Sequence, residues 1–94
     1  MEIIVHRINN IENLVKLSPS YGVEIDVRSQ GSKLILNHEP FQDGPDFINY
    51  IENYKHGTLI LNIKEAGIEN EVLKIVKSKN IKSYFLLDVE MPYL

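Results

Sequence analysis

The sequence predicts an α/β domain built on a mainly parallel sheet. Three features point to it: short apolar runs alternate with helical periods along the chain, one segment alternates strictly between apolar and charged residues, and the connections are punctuated by Gly, Pro and Asn. Strands that alternate with helices in this way favour parallel pairing, because each helix returns the chain to the edge from which the next strand starts.

Residues 2–6 (EIIVH) are an apolar, β-branched run and read as the first strand, ended by the polar RINN. From Asn10 to about Leu17, Ile11, Leu14, Val15 and Leu17 fall at helical spacing. Ser18-Pro19-Ser20 ends that helix, since proline cannot continue it, and Tyr21-Gly22 turns the chain. Residues 23–28 (VEIDVR) put Val23, Ile25 and Val27 on one face and Glu24, Asp26 and Arg28 on the other, the period of a strand. Gln30-Gly31-Ser32 forms a turn, and 33–38 (KLILNH) a further strand that pairs back as a hairpin.

Pro40 and Asp43-Gly44-Pro45 mark a loop, after which Asp46 caps a helix running to about Tyr54 with Phe47, Ile48, Tyr50 and Ile51 as its apolar face. Gly57 closes it. Residues 58–63 (TLILNI) read as a strand buried on both faces. Residues 68–78 carry Ile68, Val72, Leu73, Ile75 and Val76 at helical positions, and 83–89 (SYFLLDV) form the last readable strand. Phe47, Tyr50, Tyr54, Tyr84 and Phe85 are expected to pack in the core, and His56 to belong to the turn at Gly57.

Composition narrows the function classes. With 44% hydrophobic and 24% charged residues the 94-residue chain is ordinary for a globular protein and long enough for one domain. A net charge of −3 with interspersed lysines offers no basic stripe, so nucleic acid is not an expected partner. The absence of cysteine excludes disulfides and thiolate zinc sites and suits a cytoplasmic setting. No segment approaches the roughly 20 apolar residues of a membrane-spanning helix. A glycine-rich phosphate loop, a G-x-S-x-G elbow and an H-E-x-x-H pair are all missing.

The polar residues with chemical potential collect near strand carboxyl ends: His6-Arg7 after the first strand, Glu24 and Asp26 on the second, His38 after the hairpin, Asn62 and Lys64 at the end of the 58–63 strand. That edge is where parallel α/β folds assemble sites. Two carboxylates on one strand face repel each other unless a cation lies between them, and oxygen ligands favour Mg²⁺ or Ca²⁺. The same E-x-D-x-R pattern also fits the solvent face of an edge strand. His6 and His38 suit acid/base work because imidazole titrates nearest neutrality, while Arg7 and Lys64 suit phosphate oxygens. Each, taken singly, is equally at home in a turn or on a surface.

Taken together, V-H-R at 5–7, E-N at 12–13, V-E-I-D-V-R at 23–28, L-I-L-N-H-E-P at 34–40 and L-N-I-K at 61–64 resemble the pattern of the glycerophosphodiester phosphodiesterase family. That family belongs to a superfamily shared with phosphatidylinositol-specific phospholipase C. In it a His-Arg-Gly opens a TIM (β/α) barrel, Glu-x-Asp lies on strand two, His-Asp in the insertion after it, and Glu-x-Lys ends strand three. The resemblance implies a partial barrel of about four βα units with a hairpin after strand two, residues 1–94 forming the N-terminal half of the domain. The Y-F-L-L-D run at 84–88, followed by Pro92, is similar to a bacterial branch in which N-I-K stands on strand three.

Carried over residue by residue, the resemblance implies His6 and His38 as general acid and base, Arg7 and Lys64 as phosphate ligands, and Glu24 with Asp26 as ligands of a divalent metal, Mg²⁺ or Ca²⁺. The implied function is metal-assisted phosphodiester hydrolysis of lipid-derived glycerophosphodiesters. Ile8 replaces the family's glycine, Glu39 its aspartate and Asn62 its third-strand glutamate. A noncatalytic phosphate-ligand binding protein is the alternative that Asn62 motivates. A half-barrel that forms a homodimer to cover its open edges is a third, motivated by a chain that stops five residues after Val89.

Overall fold

The structure is a computed structural model and describes residues 2–39 and 42–87. The elements follow in the order β1 (Ile4–Val5), α1 (Ile11–Lys16), β2 (Gly22–Gln30), β3 (Lys33–Leu36), α2 (Phe47–Glu52), β4 (Leu59–Ile63), α3 (Glu69–Ser78) and β5 (Tyr84–Leu87). This is a mixed α/β fold with a five-stranded, mostly parallel sheet and three helices. The parallel path runs β1-β2-β4-β5, and β3 joins it as the antiparallel hairpin partner of β2. Asp88 and Val89 of the expected last strand, Pro40 and Pro92 lie outside the described residues.

Two caps foreseen in the sequence start helices. The Asn10 side chain accepts a hydrogen bond from the Asn13 amide, and Asp46 does the same for Asn49, each satisfying a backbone donor that the first helical turn leaves free. α2 ends at Glu52, two residues before the expected Tyr54. The hairpin turn is fixed by Gly31, whose φ of 63° is natural only for a residue without Cβ. Gly44 is required for a different reason: a Cβ there would lie 1.9 Å from the Leu36 carbonyl oxygen, so any side chain would push the loop off β3.

Register settles the two faces of the sheet. Val23, Ile25 and Val27 pair with Leu59, Leu61 and Ile63, and these six side chains form one buried cluster with Leu14 of α1, Phe47, Tyr50 and Ile51 of α2, and Val72 and Val76 of α3. Because residues of one parity share a face, all three helices lie against the same side of the sheet. Burying each such aliphatic side chain is worth about 1.5–3 kcal/mol, which makes this single interlayer cluster the main source of stability.

The other face has no helix among the described residues. It carries Glu24, Asp26 and Arg28 of β2 beside Ile60 and Asn62 of β4 and Phe85 and Leu87 of β5. Three expectations change accordingly. β4 is covered on one face only, with Ile60 and Asn62 half-buried; Phe85 is 62% exposed instead of packed in the core; and Val15 and Ile48 point outward from their helices. In each case the apolar period was present, but among the described residues no layer lies on that side to receive the side chain.

Candidate functional site

β2 delivers Glu24 and Asp26 to the helix-free face, and each meets an imidazole. Glu24 Oε1 accepts a hydrogen bond of 2.9 Å from His6 Nδ1, which must therefore carry a proton. Asp26 Oδ1 lies 3.5 Å from His38 Nδ1 and 3.7 Å from Lys64 Nζ. Glu24 is largely covered and Asp26 is 1% exposed, whereas His6 keeps most of its surface in solvent. The site thus has a buried anionic floor and an accessible rim.

The His6 segment reaches the floor through a tightly fixed loop. The Ile8 amide donates to the Glu24 carbonyl at 3.1 Å, and the Tyr50 hydroxyl, from the core side, donates to the Ile8 carbonyl. Asn9 then clasps Asp26 twice: its Oδ1 accepts from the Asp26 backbone amide at 2.9 Å, and its Nδ2 donates to Asp26 Oδ2 at 3.0 Å. Only one orientation of the amide satisfies both contacts, since the reverse would set oxygen against carboxylate oxygen. Between these anchors Arg7 takes φ 56°, a left-handed conformation that costs a residue with Cβ about 1–2 kcal/mol. The strain therefore falls on Arg7, while Ile8 has no positive φ.

His38 is positioned from below by Arg28. The guanidinium donates from Nε to the Asn37 carbonyl at 3.1 Å and from Nη2 to the His38 carbonyl at 2.8 Å, while the Asn37 amide donates to the Asp26 carbonyl. Its planar fork suits two adjacent carbonyls in a way an ammonium cannot match. His38 Nδ1 is itself buried without a hydrogen-bond partner, and its Nε2 lies 3.9 Å from Glu39 Oε2. A buried polar atom lacking a partner calls for a functional or structural reason; here the Asp26 carboxylate stands 3.5 Å away.

Lys64 follows β4 directly, its amide donating to the Val27 carbonyl at 3.0 Å. The next residue, Glu65, holds the β4–α3 connection to β2 by accepting from the Ser29 amide and hydroxyl at 2.8 and 2.7 Å. Asn62 stands in register with Asp26, so the strand neighbour of the buried acid is a neutral amide.

Of the residues singled out from the sequence, the structure joins His6 to Glu24 and both His38 and Lys64 to Asp26. Arg7 is exposed and lies outside this bonded set. His56 is tied to α1, its Nε2 within 2.9 Å of the Leu17 carbonyl, as a residue of the turn. Asn9 and Arg28 are the members that sequence reasoning passed over. Arg28 was legible from its parity with Glu24 and Asp26; Asn9, in an aperiodic loop, had no signal beyond its nearness to His6.

The donor set fits a divalent cation poorly. Among the described residues no three His, Asp or Glu side chains converge as metal ligands. The two carboxylates are turned to different imidazoles, and an ammonium already stands beside Asp26.

Two cavities lie away from these couples. One of about 500 Å³ opens at the amino-terminal end of the sheet beside Glu2, His56, Lys79 and Lys82, and one of about 600 Å³ beside the hairpin turn includes Arg28 and Glu65. In the first, Glu2 is engaged by Thr58 and His56 by Leu17, so neither forms an acid–imidazole pair. The chemistry favours the β2 face over these cavities. No helix among the described residues is long and apolar enough to cross a membrane. No family model, curated protein or solved structure matches the chain.

Proposed function

We propose that this chain binds and cleaves a phosphodiester on the helix-free face of β2, as part of a (β/α) barrel of the glycerophosphodiester phosphodiesterase kind. The observation that carries the reading is the pair of carboxylate–imidazole couples on one strand, Glu24 with His6 and Asp26 with His38, next to the Lys64 ammonium.

Such couples suit general acid/base work. A carboxylate bonded to Nδ1, as Glu24 is to His6, orients the ring and leaves Nε2 to take or give a proton at the ester; at His38 the Asp26 carboxylate stands 3.5 Å from Nδ1. In the proposed reaction one imidazole withdraws the proton of an attacking hydroxyl, from water or from the substrate itself. The other protonates the departing alkoxide oxygen, so that one P–O bond forms as another breaks. Lys64, and the exposed guanidinium of Arg7, bind the anionic phosphoryl oxygens.

Asn62 favours a second reading, a protein that holds the phosphate ester without efficient turnover. Incubating the longest available protein that contains these 94 residues with a panel of glycerophosphodiesters, with Mg²⁺ and with chelator, separates the two. Turnover should fall by about 100- to 10,000-fold in His38→Ala, the usual weight of one acid/base group. Turnover equal to that of His38→Ala and His6→Ala rejects the hydrolase, and saturable binding without turnover supports the second reading.

A further inference from the structure

Asp26 is 1% exposed, and burying a carboxylate is costly unless donors and positive charge surround it. The compensation is visible. Oδ2 takes a hydrogen bond from Asn9 Nδ2 at 3.0 Å, and Oδ1 has Lys64 Nζ at 3.7 Å and His38 Nδ1 at 3.5 Å. Lys64 is held there by its own backbone, whose amide bonds β2 at the Val27 carbonyl.

A divalent ion approaching Oδ1 would come up against that ammonium. Mg²⁺ demands octahedral oxygen coordination and Ca²⁺ six to eight oxygens. The strand position opposite Asp26 supplies only the Asn62 amide, while Glu24 Oε1 is engaged by His6. Among the described residues no third His, Asp or Glu completes a set.

We propose that the site carries its cation built in: the Lys64 ammonium, docked on buried Asp26, provides the positive charge that receives an anionic ester, and the site takes up no divalent metal. The identity of that ester rests on the phosphodiester reading; the role of Lys64 does not, and it can be measured with metal alone.

Mn²⁺ is the probe. Free Mn²⁺ is followed by electron paramagnetic resonance as the full chain is added, alongside calorimetric titration with Mg²⁺ and Ca²⁺. The native protein should leave Mn²⁺ free. Lys64→Glu, which removes the ammonium and adds a carboxylate beside Asp26, should bind it about tenfold or more tightly than the native chain, and Asp26→Asn added to that variant should abolish the gain. If circular dichroism shows Lys64→Glu to be unfolded, Lys64→Met serves instead, with the same direction expected from loss of the charge alone. One-to-one Mn²⁺ binding by the native chain that Asp26→Asn removes overturns the proposal, as does a folded Lys64 variant with no gain. Absence of ester turnover would count against the hydrolase reading and leave the metal result standing.

Discussion

Asn9 grips Asp26 by both its backbone and its side chain, which ties the loop after β1 to the centre of β2. A single amide thus satisfies both the backbone and the side chain of an acid that is nearly sealed from water. The first prediction concerns this clasp. Asn9→Ala leaves an amide and a carboxylate oxygen without partners and should cost about 1–3 kcal/mol. Asn9→Asp should cost more, because it sets one carboxylate against another. Urea unfolding followed by circular dichroism measures both, and an Asn9→Ala midpoint equal to that of the native chain refutes the structural role.

Arg28 exerts the matching control on His38. Its two bonds to consecutive carbonyls require a planar fork, so Arg28→Lys should loosen residues 37–39 even though charge is kept. Amide hydrogen exchange should rise in that segment and stay unchanged in α3. Equal protection in the variant and the native protein would contradict the assignment.

Tyr50 and Tyr54 predict a loss of stability in alkali. Burial is the first cause holding both phenols above the usual tyrosine range, with the neighbouring Tyr54 adding to the effect on Tyr50 and Glu2 to that on Tyr54. The neutral phenol is the native form, whereas phenols in the unfolded chain ionise near ~10. Their contribution is complete below that pH and falls as pH rises through it. Thermal midpoints measured from pH 8 to 11 should decline at the upper end. In Tyr50→Phe the decline should be shallower, and at neutral pH its stability should be lower by about 1 kcal/mol because the Ile8 carbonyl loses its donor. A midpoint that does not move across this range contradicts the account.

Glu2 acts at the other end of the scale. Hydrogen bonds from the Thr58 hydroxyl and amide hold its carboxyl below the ordinary carboxylate range, so its contribution is present above that range and is lost as pH falls through the lowered value. Acid titration of the native chain against Glu2→Gln should show the variant with the weaker dependence between pH 5 and 2, a window set by the usual carboxylate pKa of roughly 4 and the downward shift. Identical profiles would remove Glu2 from the acid response.

Much of the frame was legible because its signals are local. Strict alternation at 23–28 placed Glu24, Asp26 and Arg28 on one face, Asn10 and Asp46 announced helix starts, and Gly31 the hairpin. What escaped depends on layers that no period reports. Ile60, Phe85, Val15 and Ile48 have the right spacing for burial, yet whether anything covers them is decided by which side of the sheet the helices take. The site divides in the same way. The acids and histidines stood out by type and strand-end position, while their pairing, one imidazole to each acid, and the Asn9 clasp arise from a loop whose path only tertiary contacts determine.

The claim on which the account turns is that an anionic ester settles among His6, Asp26, His38 and Lys64. The most direct measurement is an amide nuclear magnetic resonance titration of the isotope-labelled chain with a glycerophosphodiester. The account predicts saturable shifts concentrated at residues 6–9, 24–26, 37–39 and 62–64, weakened in Lys64→Ala. An unmoved spectrum, or shifts gathered at Lys55, Lys79 and Lys82 around the cavity at the opposite end of the sheet, would contradict it.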